Sequence, residues 1–247
     1  MIKSISRIIV IMIILLIFVS TEAVAGIPSP DLQPEEGFFG LSAFSYYYAA
    51  VSDRLLPDQQ IFRKCQVVFL PSFEPESAVY ISWDEKNESD RPRVVATELE
   101  HQLWAELQKV IHREPSKDGY YSFAPEVQQR ILPQIRSNVK KAEAEIDVQT
   151  AKILEHLWET MLSRIRYPDI KVLGLDGENY HFANGVKGRG YRVGKVWSPE
   201  KGTPSYELIE IAKSLKDYPR LSEKGRVESS KSMSKRAERL LAQLRSK

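Results

Sequence analysis

Three patterns in the sequence predict an α+β fold: a single domain in which an antiparallel sheet carries two amphipathic helices packed on one face. Short apolar or alternating runs follow one another between turn residues at Cys65–Phe73, Ala78–Trp83 and Arg93–Leu99, the pattern of an antiparallel meander. Two later segments repeat apolar residues at three- and four-residue steps, which places them on one side of a helix. An Asp-Gly pair, Asp176-Gly177, stands inside the strand-like stretch Leu173–Phe182. Asp-Gly tolerates the positive φ of a tight hairpin turn.

The chain begins MIKSISRIIVIMIILLIFVSTEAVAG, with Lys3 and Arg7 ahead of an apolar run from Ile8 to Val19 and then Ala23-Val24-Ala25. Charged, apolar and small-residue regions in that order make a secretory signal. The run is shorter than the roughly 18 to 20 residues that cross a bilayer, so cleavage near Ala25 is expected over retention as an anchor. The expected location is periplasmic or secreted. A lead segment rich in proline and acid, 26–36, is expected to be extended, and the α+β domain to occupy 37–219. Ala43–Leu56, with Tyr46, Tyr47 and Tyr48, fits a helix or a strand equally well.

After the meander, Pro115–Pro133 has no clear period, and Val139–Asp147 alternates. Asp147 then stands as the N-cap of a helix whose apolar side is Val148, Ala151, Leu154, Trp158, Met161, Leu162 and Ile165, with Pro168 as its stop. Thr203 and Pro204 open a second helix carrying Leu208, Ile211, Ala212 and Leu215 and ending before Pro219. Residues 220–247 hold nine Lys/Arg against three Asp/Glu, whereas 26–219 hold 24 basic and 29 acidic residues. An acidic body thus carries a basic tail, expected to be flexible with a transient helix at Ala237–Leu244 and able to touch anionic surfaces weakly, the other reading being that Leu240, Leu241 and Leu244 dock on the body.

Glycine and basic residues crowd "GVKGRGYRVGK", 185–195. A phosphate loop needs G-x-x-x-x-G-K-[ST], but here three residues separate Gly190 from Gly194 and Val196 follows Lys195 where a hydroxyl should stand. The spacing of Gly188, Gly190 and Gly194 also fails the dinucleotide pattern. The glycines therefore read as turn chemistry, and Lys187, Arg189, Tyr191, Arg192 and Lys195 as a basic rim available as a contact surface. No cofactor is expected. The histidines, His101, His112, His156 and His181, lie in no metal-binding motif, and Cys65 is the sole cysteine, so no metal and no internal disulfide are expected. Apolar neighbours make Cys65 a buried thiol rather than a nucleophile. Glu74 and Glu76 flank Pro75 and would point to the same side, near enough to couple or to pair for glycoside chemistry. Asn87-Glu88-Ser89 fits a glycosylation sequon, incidental in a bacterial chain.

The stretches "LPSFEPE", "AVYISW", "HLWETML", "GLDGENYHF" and "VWSPEKGTP" resemble a loose group of small bacterial proteins with PSF-x-PE, LDG-x-x-Y-x-F and WSP-x-x-GTP in that order. The resemblance covers about residues 65–217. It implies a fold and assigns no activity, catalytic residue, cofactor or partner. Trp197-Ser198-Pro199 reads as an aromatic closing the core beside a turn.

Three functions fit these observations. The first is an exported, non-enzymatic binding protein with a protein partner in the envelope or outside the cell, of the inhibitor or immunity kind; the acidic body suits a basic partner. The second is a cell-wall hydrolase using Glu74 or Glu76 with His101 or Asp176. The third is an envelope-associated structural protein tethered by the basic tail. Export argues against a nucleic-acid partner.

Overall fold

A computed structural model of the chain describes residues 31–34, 45–56, 63–83, 91–111, 129–166, 177–186 and 190–246. The expected signal, the sequon, and Leu173–Asp176 of the Asp-Gly hairpin lie outside them.

Six strands form one antiparallel sheet: β1 Arg63–Pro71, β2 Ser77–Ser82, β3 Arg93–Leu99, β4 Val139–Glu145, β5 Glu178–Val186 and β6 Gly190–Trp197, in the order β4-β3-β2-β1-β5-β6. The meander predicted from the three apolar runs is β1–β2–β3, and β4 extends it. β1, at the centre, is buried at every residue but its last, which is why its stretch Val67–Leu70 reads as a continuous apolar run rather than an alternation.

The two helices legible in the sequence form where their caps place them. Thr150 N–H donates to Asp147 Oδ1 (2.9 Å) at the start of Val148–Ser163, and Tyr206 N–H donates to Thr203 Oγ1 (3.3 Å) ahead of Pro204–Asp217. Numbered in chain order, the helices are α1 Ser45–Leu55, α2 Leu103–Ile111, α3 Val148–Ser163, α4 Pro204–Asp217 and α5 Glu223–Arg245. α3 and α4 cover the face bearing Val67, Phe69, Val79, Ile81, Val94, Phe182 and Val196. The opposite face is also covered, since Val68, Leu70, Ala78, Tyr80, Val95 and Leu99 share a core with residues of α1 and α2. The sequence leaves α1 undecided and does not reveal this second helical layer.

The basic tail is a correction. Residues 223–245 are one continuous helix, not a flexible extension. Ser222 caps it by accepting from Gly225 N–H (3.3 Å), and Ser230, Met233, Ala237, Leu240, Leu241 and Leu244 are buried. These positions fall on one stripe, which α5 buries against α3 and α4. Thr150 meets Ser234 (2.9 Å) near the beginning of α3, and Arg164 donates to the Leu244 carbonyl (2.9 Å) just past its end, so the two helices run parallel. Arg236 and Arg239 reach Glu207 of α4 (3.2 and 3.5 Å). Lys224, Lys231, Lys235 and Arg239 remain on the solvent side. The other boundary moves as well: Leu32 is buried in the core and Gln33 pairs with Lys195, so packing begins within the lead segment and runs to Leu244.

β1 carries a bulge between Lys64 and Val67, where Cys65 adopts φ +50°. This left-handed backbone is costly for a residue with a side chain. Asn184 holds it, its Oδ1 accepting from Cys65 N–H (2.9 Å). Lys64 makes an ion pair with Glu155 of α3 (2.7 Å) and lies over the Trp83 ring (5.1 Å).

Candidate functional site at one end of the sheet

Register brings several quoted segments together. Pro71 pairs with Glu178, Asn179 with Trp197, and Ser77 with Glu98. "PSFEPE", Gly177-Glu178 and Trp197-Ser198 therefore meet at one end of the sheet, beside the start of α2. Ser72 is the knot: its Oγ–H donates to the Gly177 carbonyl (2.5 Å) and its Oγ accepts from Gly177 N–H (3.1 Å). Gln102 Nε2 donates to the carbonyls of Pro71 (3.2 Å) and Ser72 (2.8 Å). Glu178 N–H donates to Ser198 Oγ (2.9 Å), and Ser198 N–H to the Glu178 carbonyl (3.0 Å).

Gly177 is required here by space. A Cβ on it would stand 2.6 Å from Trp197 Nε1 and from Ser198 Oγ, and its φ is +154°. The close approach of backbone to indole is what closes the junction.

Glu74 and Glu76 do not form the facing pair that alternation predicts. Glu76 is wholly buried and Glu74 is exposed on the bend. The Glu76 carboxylate accepts from Leu103 N–H (2.8 Å), Trp104 N–H (3.0 Å) and Tyr47 Oη–H (2.6 Å). The first two donors are unsatisfied at the N-terminus of any helix, so Glu76 caps α2 from β2's leading edge and ties it to α1. Burial, then the charge of Glu76, pushes the Tyr47 phenol well above its ordinary range and keeps it a donor. His101 is exposed at the same end of the sheet, one residue before Gln102. Asp176 lies outside the described residues.

Beside these anchored groups one large apolar side chain faces water. Phe73 is 80% exposed, between the pinned Ser72 and the exposed Glu74. The sequence contains it in "PSFEPE", where it reads as part of a fold motif. The signal available was an aromatic residue in a Ser/Pro/Glu bend, where no strand face continues to bury it.

Of the basic rim, Tyr191, Arg192 and Lys195 are among the described residues. Tyr191 and Lys195 share one face of β6, while Arg192 shares the other with Gly194, which packs against Leu162 and Ile165. Tyr191 is 44% exposed. Val186 pairs with Gly190 across the hairpin, and Gly190 has φ +80°, so the glycine-rich stretch includes turn chemistry; Lys187 and Arg189 lie outside the described residues. Tyr191 and Arg192 are at the end of β6 away from Trp197.

Cys65 is buried, and burial together with Glu155 raises its thiol well above its ordinary range, with Lys64 opposing. Among the described residues no three His, Cys, Asp or Glu side chains gather as a metal site, and no helix is long and apolar enough to cross a membrane.

No family model, curated protein or solved structure matches the chain. The junction has an acid committed to a helix cap, a rigid bend and an exposed aromatic ring. Chemically, that arrangement can present a ring to a partner.

Proposed function

We propose that the chain is an exported binding protein, of the inhibitor or immunity kind, that holds a protein partner without turning it over. The supporting observation is Phe73, an exposed aromatic ring on a bend whose backbone is held before the ring by the contacts of Ser72 with Gly177 and Gln102, and after it at Glu76, whose carbonyl accepts from Leu99 N–H (2.9 Å). Aromatic anchors supply contact area with few rotatable bonds, and a bend already held in place loses little freedom on binding. Glu74 and Glu100 are exposed at the same end of the sheet, so the charge beside the ring is acidic. The partner that fits is a protein with an apolar pocket bordered by basic groups.

The test is affinity capture of the tagged protein from envelope and growth-medium fractions. One partner recovered at fixed stoichiometry, intact after prolonged incubation, is the expected result. Release of cell-wall fragments by the wild type and not by Glu74→Gln would overturn it in favour of a hydrolase.

A further inference from the structure

β4 is an edge strand, and its outer side has a defined hydrogen-bonding pattern. Glu100 N–H donates to the Asn138 carbonyl (2.9 Å) and Ile146 N–H to the Pro92 carbonyl (3.0 Å), in the same register that pairs Arg93 with Glu145 and Leu99 with Val139. In an antiparallel ladder alternate residues turn both backbone groups to the neighbour. The even-numbered residues of β4 therefore bond to β3, and Val139, Lys141, Glu143 and Glu145 direct N–H and C=O outward. An independent contact agrees, and already engages one of these groups: the Glu145 carbonyl accepts from Tyr218 Oη–H (3.0 Å), so the ladder available to a partner centres on Lys141 and Glu143. Among the described residues no strand pairs with this outer side.

We propose that β4 is a self-association edge, through which a second copy of this chain pairs antiparallel about a two-fold axis at Ala142. The argument is charge complementarity in register. Centred on Ala142, the outward residue Lys141 stands opposite Glu143 of the second copy, and Glu143 opposite its Lys141. Directly opposed unlike charges stabilise a strand pair and like charges destabilise it. Shifting the register by two residues one way places Lys141 against Lys141; the other way places Glu143 against Glu143 but sets Lys141 opposite Glu145 on both sides of the axis, so the Ala142-centred register is the one with no like-charge pair. A one-residue shift sets outward groups against inward ones and loses the ladder. Lys141 and Glu143 are already ion-paired within one chain (3.0 Å) with side chains 57% and 47% exposed, so the charges are accessible and can be shared across the axis. Charged side chains on an edge commonly guard it against pairing; in VKKAEAE, Lys141 and Glu143 instead match each other in reverse, while Lys140 and Glu145 fall opposite the uncharged Ala144 and Val139. The pairing is isologous and closes at two copies, joining two six-stranded sheets.

The experiment is sedimentation of the purified protein at low salt as wild type, Lys141→Glu, Glu143→Lys, and an equimolar mixture of those two variants, with thermal melts to establish that each is folded. The wild type is expected to sediment at twice the mass of the chain. Each variant alone opposes like charges at both symmetric positions and should weaken the dimer by about 10-fold or more. The mixture restores Lys-to-Glu pairing at both positions and should recover the dimer. A wild type that stays monomeric, a dimer indifferent to both variants, or a mixture that fails to recover it would each overturn the proposal.

Discussion

A carboxylate without solvent persists in a core only where donors surround it, and Glu76 has Tyr47, Leu103 and Trp104. Glu76→Ala would leave two helix N–H groups and a phenol unpaired, a loss of about 3 kcal/mol measurable by urea unfolding. Glu76→Gln keeps one acceptor and should lose about 1 kcal/mol. Equal effects of the two would contradict the capping role. Tyr47 and Cys65 add a pH dependence. Both hold their protons more tightly folded than unfolded, where the ordinary values are 10.0 and 9.0. The unfolded state therefore ionises first, and the contribution of these two groups to stability, fully present below their unfolded values, falls as pH rises above about 9. A urea midpoint unchanged between pH 8 and 11 would contradict this. Sequence reading places Cys65 correctly as a buried thiol. It misplaces Glu76 because the capped amides lie 27 and 28 residues further along the chain, a distance that spacing and alternation do not reach.

Helices with complete local signals are legible at the scale of the element. α3 and α4 each carry an apolar stripe and a capping residue, and both form. α5 has the same ingredients, Ser222 and the Met233–Leu244 stripe, beneath a polar, Ser/Lys-rich surface that reads as a solvated tail. What decides is tertiary: the stripe has somewhere to go, between α3 and α4. Truncation after Arg220 would expose that groove and forgo burial of Met233, Leu240, Leu241 and Leu244, about 8 kcal/mol. Since whole domains are stable by about 5–15 kcal/mol, the truncated protein should lose most of its cooperative unfolding transition in circular dichroism. A truncation melting within a few degrees of the intact chain would restore the reading of a dispensable tail. α1 and α2 were not legible, because the Tyr46–Tyr48 run has no period and α2's cap comes from another element.

For the whole molecule, the sheet gathers separated segments at one end. Ser72, Gly177, Trp197 and Ser198 have no common local pattern; the register of β1, β5 and β6 brings them together. Their contacts pin the chain that leads into the bend at Phe73, and under the proposed function this pinning is what would let the ring act as an anchor. Gly177→Ala would force Trp197 and Ser198 away and should cost about 2 kcal/mol while loosening the bend, seen as faster amide exchange at Ser72 and Gly177. The direct test of a binding surface centred on Phe73 is the affinity of the captured partner for wild type and Phe73→Ala, by calorimetry on proteins of matched melting temperature. Loss of an anchoring aromatic should weaken binding by roughly 30-fold, the range of interface hot spots, with Arg192→Ala unchanged. Equal affinity for wild type and Phe73→Ala would contradict it.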